Sequence, residues 1–234
     1  MGARDWWPYF NLRLHNLIGA DAASIMSPSP LSGSLPAIVL VGPPRLSQAW
    51  RTAFRGVSVV SVVSGDILAQ PPGTALVSPA NSFGVMRGGL DKQYAKSYRD
   101  HGVDIENRVM NAIRESLYGE LPLGQALVVP TPAHPTHPFL IVAPTMRTPQ
   151  SITHSMNPYL AFRAVLLAVA AWNQCNPDNR IDRIACPGLG TGVGHVPVRR
   201  AARQMRAAWD SLHGQGVESS MTKQWFAERR LRWR

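Results

Sequence analysis

Short apolar runs alternate with longer amphipathic segments along the middle of the chain. The run Ala37–Gly42 is rich in β-branched residues and lies between turn formers, which is typical of a buried strand. Residues 105–117 carry an apolar side chain at every fourth position, and this period predicts a helix. The other predicted strands are Val57–Val63, Ala75–Ser78, Ala126–Pro130, Phe139–Ala143 and Arg183–Cys186, and the other predicted helices are Leu46–Phe54, one that begins near Asp91, Pro158–Trp172 and Pro197–Leu212. Alternating strands and helices predict a layered α/β domain with a mostly parallel sheet.

The two ends of the chain lack this regular pattern. Residues 1–36 are predicted to be a tail or linker, because Ser27–Pro36 is dominated by Ser, Pro and Gly. The aromatic residues ahead of that stretch could dock on a surface. Residues 37–215 are predicted to form the domain. Residues 216–234 are predicted to be a basic helix or tail, which either docks on the domain or binds phosphate backbones or a partner.

Composition and charge narrow the class of protein. A hydrophobic fraction of 45% with no apolar run long enough to span a bilayer predicts a soluble, cytoplasmic protein without membrane contact, and we expect a monomer. Cys175 and Cys186 are the only cysteines, and we expect both to be reduced thiols. The formal charge is +10, from 24 basic and 14 acidic residues. A positive field favours phosphorylated ligands without identifying one.

Four histidines are candidates for chemistry. The spacing of His134 and His137 could suit a metal, but three prolines surround them and no acidic or thiol partner is near in the sequence. We therefore expect a solvated loop there, and we predict no metal site and no cofactor. His154 and His195 could touch a ligand from loops.

The stronger candidates lie at the carboxyl ends of predicted strands, where open α/β sheets bind ligands. The first follows Val57–Val63 and contains Gly65 and Asp66. An acidic residue after Gly either caps a turn or accepts a hydrogen bond from an amine of a ligand.

The second candidate is the loop that follows Ser78. It holds three glycines within six residues, from Gly84 to Gly89, and such loops present backbone N–H groups to anions. Asn81 can both donate to and accept from hydroxyl groups. Asp91 is either the N-cap of the next helix or a catalytic carboxylate. Because neither Ser78 nor Ser82 has a recognisable base, we do not expect a serine hydrolase.

The third candidate has four glycines in seven residues, from Gly188 to Gly194, ahead of a helix that Pro197 begins. It lacks the Gly-Lys-Ser/Thr of a P-loop. It also lies too late in the chain for a dinucleotide fingerprint and lacks that motif's acidic residue. Two anion-binding loops with an intervening Asn and Asp suggest a nucleotide diphosphate with an attached sugar.

The order of these motifs resembles that of the macrodomain family. Gly-Asp-Ile comes first, then Pro-Ala-Asn with Gly-Gly-Leu-Asp, then Gly-Thr-Gly-Val-Gly, within residues 37–215. The spacing of ten between Asn81 and Asp91 equals that of the hydrolase branch of the family. The resemblance implies a three-layer α/β/α macrodomain with a central mixed, mostly parallel sheet.

The resemblance also implies a role for each residue. Asp66 receives the adenine amine with help from the backbone of Ile67, and Asn81 holds the distal ribose. Asp91, with Asn81, forms the implied catalytic pair and positions or activates the water that attacks the anomeric carbon. The implied ligand-binding residues are Asp66, Ile67, Asn81, Gly88, Gly89, Gly190, Thr191, Gly192, Val193 and Gly194, of which the last five wrap the diphosphate.

The chain departs from the hydrolase branch at three positions. Met86 and Arg87 replace two glycines, and Gly194 replaces an aromatic residue. Arg87 either pairs with the diphosphate or points outward. These departures affect catalysis more than binding.

Three functions are therefore compatible with the sequence. The first is hydrolysis of ADP-ribosyl groups from protein, nucleic acid or O-acetyl-ADP-ribose. The second is a binding module that captures ADP-ribose or a related signalling nucleotide without turnover. The third is nucleic-acid binding through the basic C-terminus.

Overall fold

A computed structural model describes residues 36–213 of the chain. The predicted tail, apart from Pro36, and the predicted segment 216–234 lie outside the described residues. The strands within residues 36–213 are β1 (Ala37–Gly42), β2 (Val60–Ser64), β3 (Ala75–Ser78), β4 (Leu127–Pro130), β5 (Phe139–Val142) and β6 (Arg183–Cys186). The α-helices are α1 (Pro44–Ala53), α2 (Gly89–Asp100), α3 (Ile105–Leu117), α4 (Asn157–Cys175) and α5 (Val198–His213), and a 3₁₀ turn spans Ile67–Ala69.

The six strands form one sheet in the order β2-β1-β6-β3-β5-β4. All neighbouring pairs are parallel except β4 and β5, which are antiparallel. The sheet is therefore mixed and mostly parallel, as the sequence predicts. The parallel strands direct their carboxyl ends, and the loops that follow them, to one edge of the sheet.

Both faces of the sheet are covered by helices, because alternate residues of a strand point to opposite faces. In β1, Ile38 and Leu40 join a core formed with α1, α4 and α5. Val39 and Val41 join a second core, which contains residues of α2 and α3. The two cores give the three layers α/β/α that the resemblance implies.

Several predicted boundaries differ from those in the structure by one to three residues, and two of these differences are explained by local hydrogen bonds. Strand β2 begins at Val60 rather than Val57, because Gly56 adopts a positive φ of 83° and the Val57 N–H closes a turn on Phe54. Helix α2 begins at Gly89, and its N-cap is Gly88, whose carbonyl accepts from the N–H of Lys92 at 3.2 Å.

The interpretation of Asp91 as an N-cap is therefore wrong. Asp91 lies inside the first helical turn of α2.

None of the helices within residues 36–213 is long and apolar enough to cross a membrane.

Candidate functional site

The loops after β1, β2, β3, β5 and β6 meet at one edge of the sheet and line a cleft of about 970 Å³. The structure brings every predicted site residue to this cleft: Asp66, Ile67, Asn81, Gly88, Gly89, Asp91, Gly190, Thr191, Gly192, Val193 and Gly194. Their shared location follows from the parallel strands, and their individual roles stay predictions.

The first wall of the cleft is the Asp66 turn, which we define as Gly65–Ala69. Asp66 has an extended backbone and is the N-cap of the 3₁₀ turn. Its Oδ1 accepts a hydrogen bond from the N–H of Leu68 at 2.9 Å. A carboxylate has a second oxygen with its own accepting capacity. Asp66 thus caps the turn and lines the cleft at the same time.

The second wall is the loop that Asn81 organises. The Asn81 Nδ2 donates to the carbonyl of Val85 at 2.7 Å. Its Oδ1 accepts from the N–H groups of Phe83 and Val85 at 3.1 and 3.3 Å. A primary amide has two N–H donors, so these bonds use one and leave one for a ligand. Asn81 therefore fixes the shape of the loop, whatever it contributes to a ligand.

Asp91 is a buried carboxyl at the inner end of the same wall. Only 8% of its surface is exposed, and its Oδ1 accepts a hydrogen bond of 2.7 Å from the hydroxyl of Ser78, which is also buried. Burial raises the pKa of Asp91 from the usual 3.8 to about 6, against the hydrogen bond from Ser78, which lowers it. Carboxyls with a raised pKa in clefts are typical of functional sites. Burial of such a group lowers the stability of the fold, so stability does not explain its presence. No local pattern in the sequence indicates that Ser78 is the partner of Asp91.

Two of the departures from the hydrolase branch have a structural explanation in this loop. Met86 is buried in the second core, and its N–H donates to Glu106 Oε1 at 3.3 Å. Arg87 Nε lies 3.2 Å from the same carboxylate oxygen, and the Arg87 side chain is 80% exposed at the rim of the cleft. Glu106 thus holds both positions, and Arg87 points outward.

The third wall is the glycine-rich loop after β6, and its glycines differ in what they do. A Cβ on Gly194 would lie 2.6 Å from both the carbonyl of Gly190 and the side chain of Ile152. No aromatic side chain fits at position 194, because Ile152 occupies that space. Gly190 adopts a positive φ of 71°. Gly192 has nothing within 4 Å of such a Cβ, so its backbone faces open space in the cleft.

Sequence reasoning missed a fourth wall, the loop after β5. Its cleft-lining residues are Thr145, Met146, Thr148 and Pro149. Thr145 Oγ1 donates to the carbonyl of Pro79 at 3.1 Å, which ties this loop to the second wall. The strand-end rule applied to Phe139–Ala143 would have found it.

The expectation of a solvated loop at His134 and His137 is wrong. These side chains are 3% and 1% exposed, and the ring of His134 packs 4.3 Å from that of Tyr98. His134 Nδ1 accepts from the N–H of His137 at 3.0 Å, so the prolines shape a buried turn. Burial and neighbouring His101 lower the pKa of His134 to about 4.

The other predicted polar residues have varied surroundings. His195 is exposed, has a positive φ of 54° and does not line the cleft. Cys175 is exposed and Cys186 is buried, and both are free thiols. Within residues 36–213, no group of three or more His, Cys, Asp and Glu side chains is arranged to hold a metal ion.

Comparison with known proteins agrees with this geometry. The Macro domain family model matches residues 77–205, more than half of the chain. An uncharacterized protein of Aeropyrum pernix is 30% identical over 159 residues, which cover 68% of this chain and 75% of that protein.

Two solved structures resemble the described fold. The macrodomain of Mycobacterium tuberculosis DarG superposes with a TM-score of 0.50 at 23% identity, over 64% of this chain and 89% of that one. A mutant Oceanobacillus iheyensis macrodomain, determined with ADPR, has a TM-score of 0.49 at 18% identity, over 65% of this chain and 77% of that one. The chain belongs to the macrodomain family.

Proposed function

We propose that this chain is an ADP-ribosyl hydrolase whose cleft binds the ADP-ribosyl group. The observation that carries the proposal is the buried carboxyl of Asp91, which lies in the cleft ten residues after Asn81. The substrates are ADP-ribosylated protein or nucleic acid, or O-acetyl-ADP-ribose. The proposal extends family membership to an activity.

The dimensions and chemistry of the cleft support binding of a sugar nucleotide. Its volume of about 970 Å³ lies at the upper end of the roughly 300–1,000 Å³ typical of ligand sites. The Asp66 turn offers a carboxylate oxygen to the adenine amine. The loop from Gly190 to Gly194 offers backbone N–H groups to the diphosphate, as an anion-binding nest does. The net charge of +10 favours an anionic ligand.

The chemistry assigned to Asp91 is general-base assistance to water. Ser78 occupies Oδ1, so Oδ2 is the oxygen that accepts the proton of the attacking water. On an ADP-ribosylated protein or nucleic acid, the water oxygen forms a bond to C1″ of the distal ribose while the bond from C1″ to the acceptor group breaks. The acceptor leaves with the electron pair of that bond, and Asp91 takes the proton. A carboxyl with a pKa of about 6 is mostly ionised at neutral pH and still a better base than an ordinary aspartate.

A release assay on ADP-ribosylated substrates tests the proposal. General-base assistance supplies about 10²- to 10⁴-fold in rate, so Asp91→Asn and Asp91→Ala should each lose at least about a hundredfold in turnover. Both should keep the affinity for ADP-ribose within a few fold. Turnover of the unchanged protein should rise with pH through about 6, as the carboxyl ionises. Turnover that survives in Asp91→Asn would remove the carboxylate from the mechanism.

A second candidate function is a reader that binds ADP-ribose without turnover. It is favoured by the departures at Arg87, which pairs with Glu106, and at Gly194, where no side chain fits. Arg87 adds an exposed side chain at the rim of the cleft where the hydrolase branch has a glycine, and Gly194 lacks the aromatic side chain of that branch, while the binding walls stay in place. The same assay decides between the two. If the unchanged protein binds ADP-ribose but releases none from Glu/Asp-linked, Ser-linked or nucleic-acid substrates, the reader is correct.

A further inference from the structure

Every polar atom of His137 lies within 3.3 Å of a polar atom of another residue. Its N–H donates to His134 Nδ1 at 3.0 Å, and its carbonyl accepts from the hydroxyls of Thr131 and Tyr98 at 2.7 and 3.2 Å. Only 1% of the residue is exposed. The imidazole of His137 is therefore held at a fixed position between β3 and the Asp66 turn.

The two ring nitrogens of His137 contact two backbone carbonyls. Nδ1 lies 3.0 Å from the carbonyl oxygen of Thr74, the residue before β3. Nε2 lies 3.3 Å from the carbonyl oxygen of Leu68, inside the Asp66 turn. A carbonyl oxygen only accepts, and a neutral imidazole carries one hydrogen, so a neutral His137 donates to one of these two carbonyls at a time, and the hydrogen bond to Leu68 requires the tautomer with the hydrogen on Nε2.

Leu68 connects His137 to Asp66. The N–H of Leu68 donates to Asp66 Oδ1, so a single residue joins His137 on its carbonyl side to Asp66 on its amide side. The bonds of the Ala69 N–H and of Gln70 Nε2 to the carbonyl of Asp66 stay inside the turn and its next residue. His137 links the turn to Thr74 ahead of β3, and the N–H of Gly65 links its first residue to Gly42 of β1 at 3.3 Å.

We infer that His137 is a positioning residue for base recognition, because it holds the Asp66 turn so that the carboxylate of Asp66 faces the amine of an adenine. This inference rests on the proposed ADP-ribose site. His137 does not itself line the cleft, so it acts through Leu68 and Asp66.

A role of His137 in positioning Asp66 should affect the preference for adenine over hypoxanthine more than the binding of the rest of the ligand. The 6-amino group of adenine donates to a carboxylate, whereas the 6-oxo group of hypoxanthine repels it. A well-placed Asp66 should therefore prefer ADP-ribose to its hypoxanthine analogue by about tenfold or more. A turn released from His137 should lose this preference, because the carboxylate is no longer held against the base.

Two substitutions at His137 separate its two bonds. Asn places an amide N–H near the position of Nδ1, so His137→Asn can donate to Thr74 but does not reach Leu68. Gln places it near the position of Nε2, so His137→Gln keeps the bond to Leu68. Calorimetry with ADP-ribose and with the hypoxanthine analogue gives the affinity ratio of each folded variant, and Asp66→Ala gives the ratio without the carboxylate.

We expect His137→Asn to lower the affinity ratio about tenfold, toward that of Asp66→Ala, while His137→Gln stays within about threefold of the unchanged protein. Suppose that the unchanged protein prefers ADP-ribose to the hypoxanthine analogue and that His137→Asn has the same affinity ratio. This result overturns the inference and leaves the proposed site intact. If the unchanged protein does not discriminate at all, the assignment of Asp66 to the base fails first, and the inference fails with it.

A measurement on the unchanged protein covers the case in which a variant does not fold. The ¹⁵N spectrum of the His137 ring reports whether Nε2 carries a hydrogen. A protonated Nε2 supports the bond to Leu68. An unprotonated Nε2 overturns the inference, because it cannot donate to a carbonyl.

Discussion

Replacement of Asp91 by Asn removes a buried negative charge and keeps the shape of the side chain. Burial raises the pKa of Asp91 from 3.8 to about 6. The folded protein therefore binds a proton more tightly than the unfolded chain does at this position. By linkage, this tighter proton binding stabilises the folded protein. The stabilisation is fully present below about pH 4 and is lost as the pH rises through about 6.

The size of the effect follows from the two pKa values. At 1.36 kcal/mol for each pKa unit, the difference between 3.8 and about 6 corresponds to about 3 kcal/mol. Relaxation around the charge makes this an upper value. The Asn side chain can still accept the hydrogen bond from Ser78. We therefore expect Asp91→Asn to be more stable than the unchanged protein by up to about 3 kcal/mol at pH 7, and of equal stability near pH 4.

Urea unfolding of both proteins between pH 4 and 8 measures this difference, and subtraction cancels the titration of all other groups. Asp100→Asn, in the same helix, is the matched control. Asp100 is exposed, and its hydrogen bond with Lys96 lowers its pKa, so its substitution should give a small effect of opposite sign. A difference for Asp91→Asn that does not change between pH 4 and 8 would refute the buried, perturbed carboxyl.

Three further predictions concern binding. Asp66→Ala should lower the affinity for ADP-ribose at least about tenfold in calorimetry, because a charged hydrogen bond to the adenine amine is lost; unchanged affinity in a folded variant would leave Asp66 as a turn residue. Gly192→Glu should abolish the binding by placing bulk and negative charge against the diphosphate, whereas Gly192→Ala, with nothing within 4 Å of the new Cβ, should keep it. Deletion of residues 221–234 should leave ADP-ribose binding unchanged and lower any salt-sensitive affinity for nucleic acid; equal loss of ADP-ribose binding would place the site elsewhere.

The regular elements could be predicted because their information is local. The strand Ala37–Gly42 and the helix Ile105–Leu117 have in the structure the bounds that periodicity predicts. Apolar residues recur there with the period of the element, and their partners need not be known. Boundaries set by a turn, as at Gly56 ahead of β2, were predicted less well.

The location of the cleft could also be predicted, because the strand-end rule needs only the order of the strands. It brought Asp66, Asn81 and Gly190 together correctly. The rule says nothing of how each side chain is held. Those details depend on contacts between separate elements. Ser78 of β3 binds Asp91, and Ile152 excludes a side chain at position 194.

The histidine pair illustrates the same limit. His134 and His137 stand among prolines, which locally indicate an exposed loop. The structure buries both against Tyr98 and joins His137 to Thr74, and the sequence separation of 63 residues hides that contact from any local pattern.

We propose that the cleft contacts both the adenine and the distal ribose of ADP-ribose. Calorimetric titrations with ADP-ribose and, separately, with AMP test this most directly. We expect ADP-ribose to bind in the micromolar range or tighter, well ahead of AMP. AMP carries the adenine but lacks the second phosphate and the distal ribose. Equal affinity for the two ligands, or no binding of either, would contradict the assignment of this cleft to ADP-ribose.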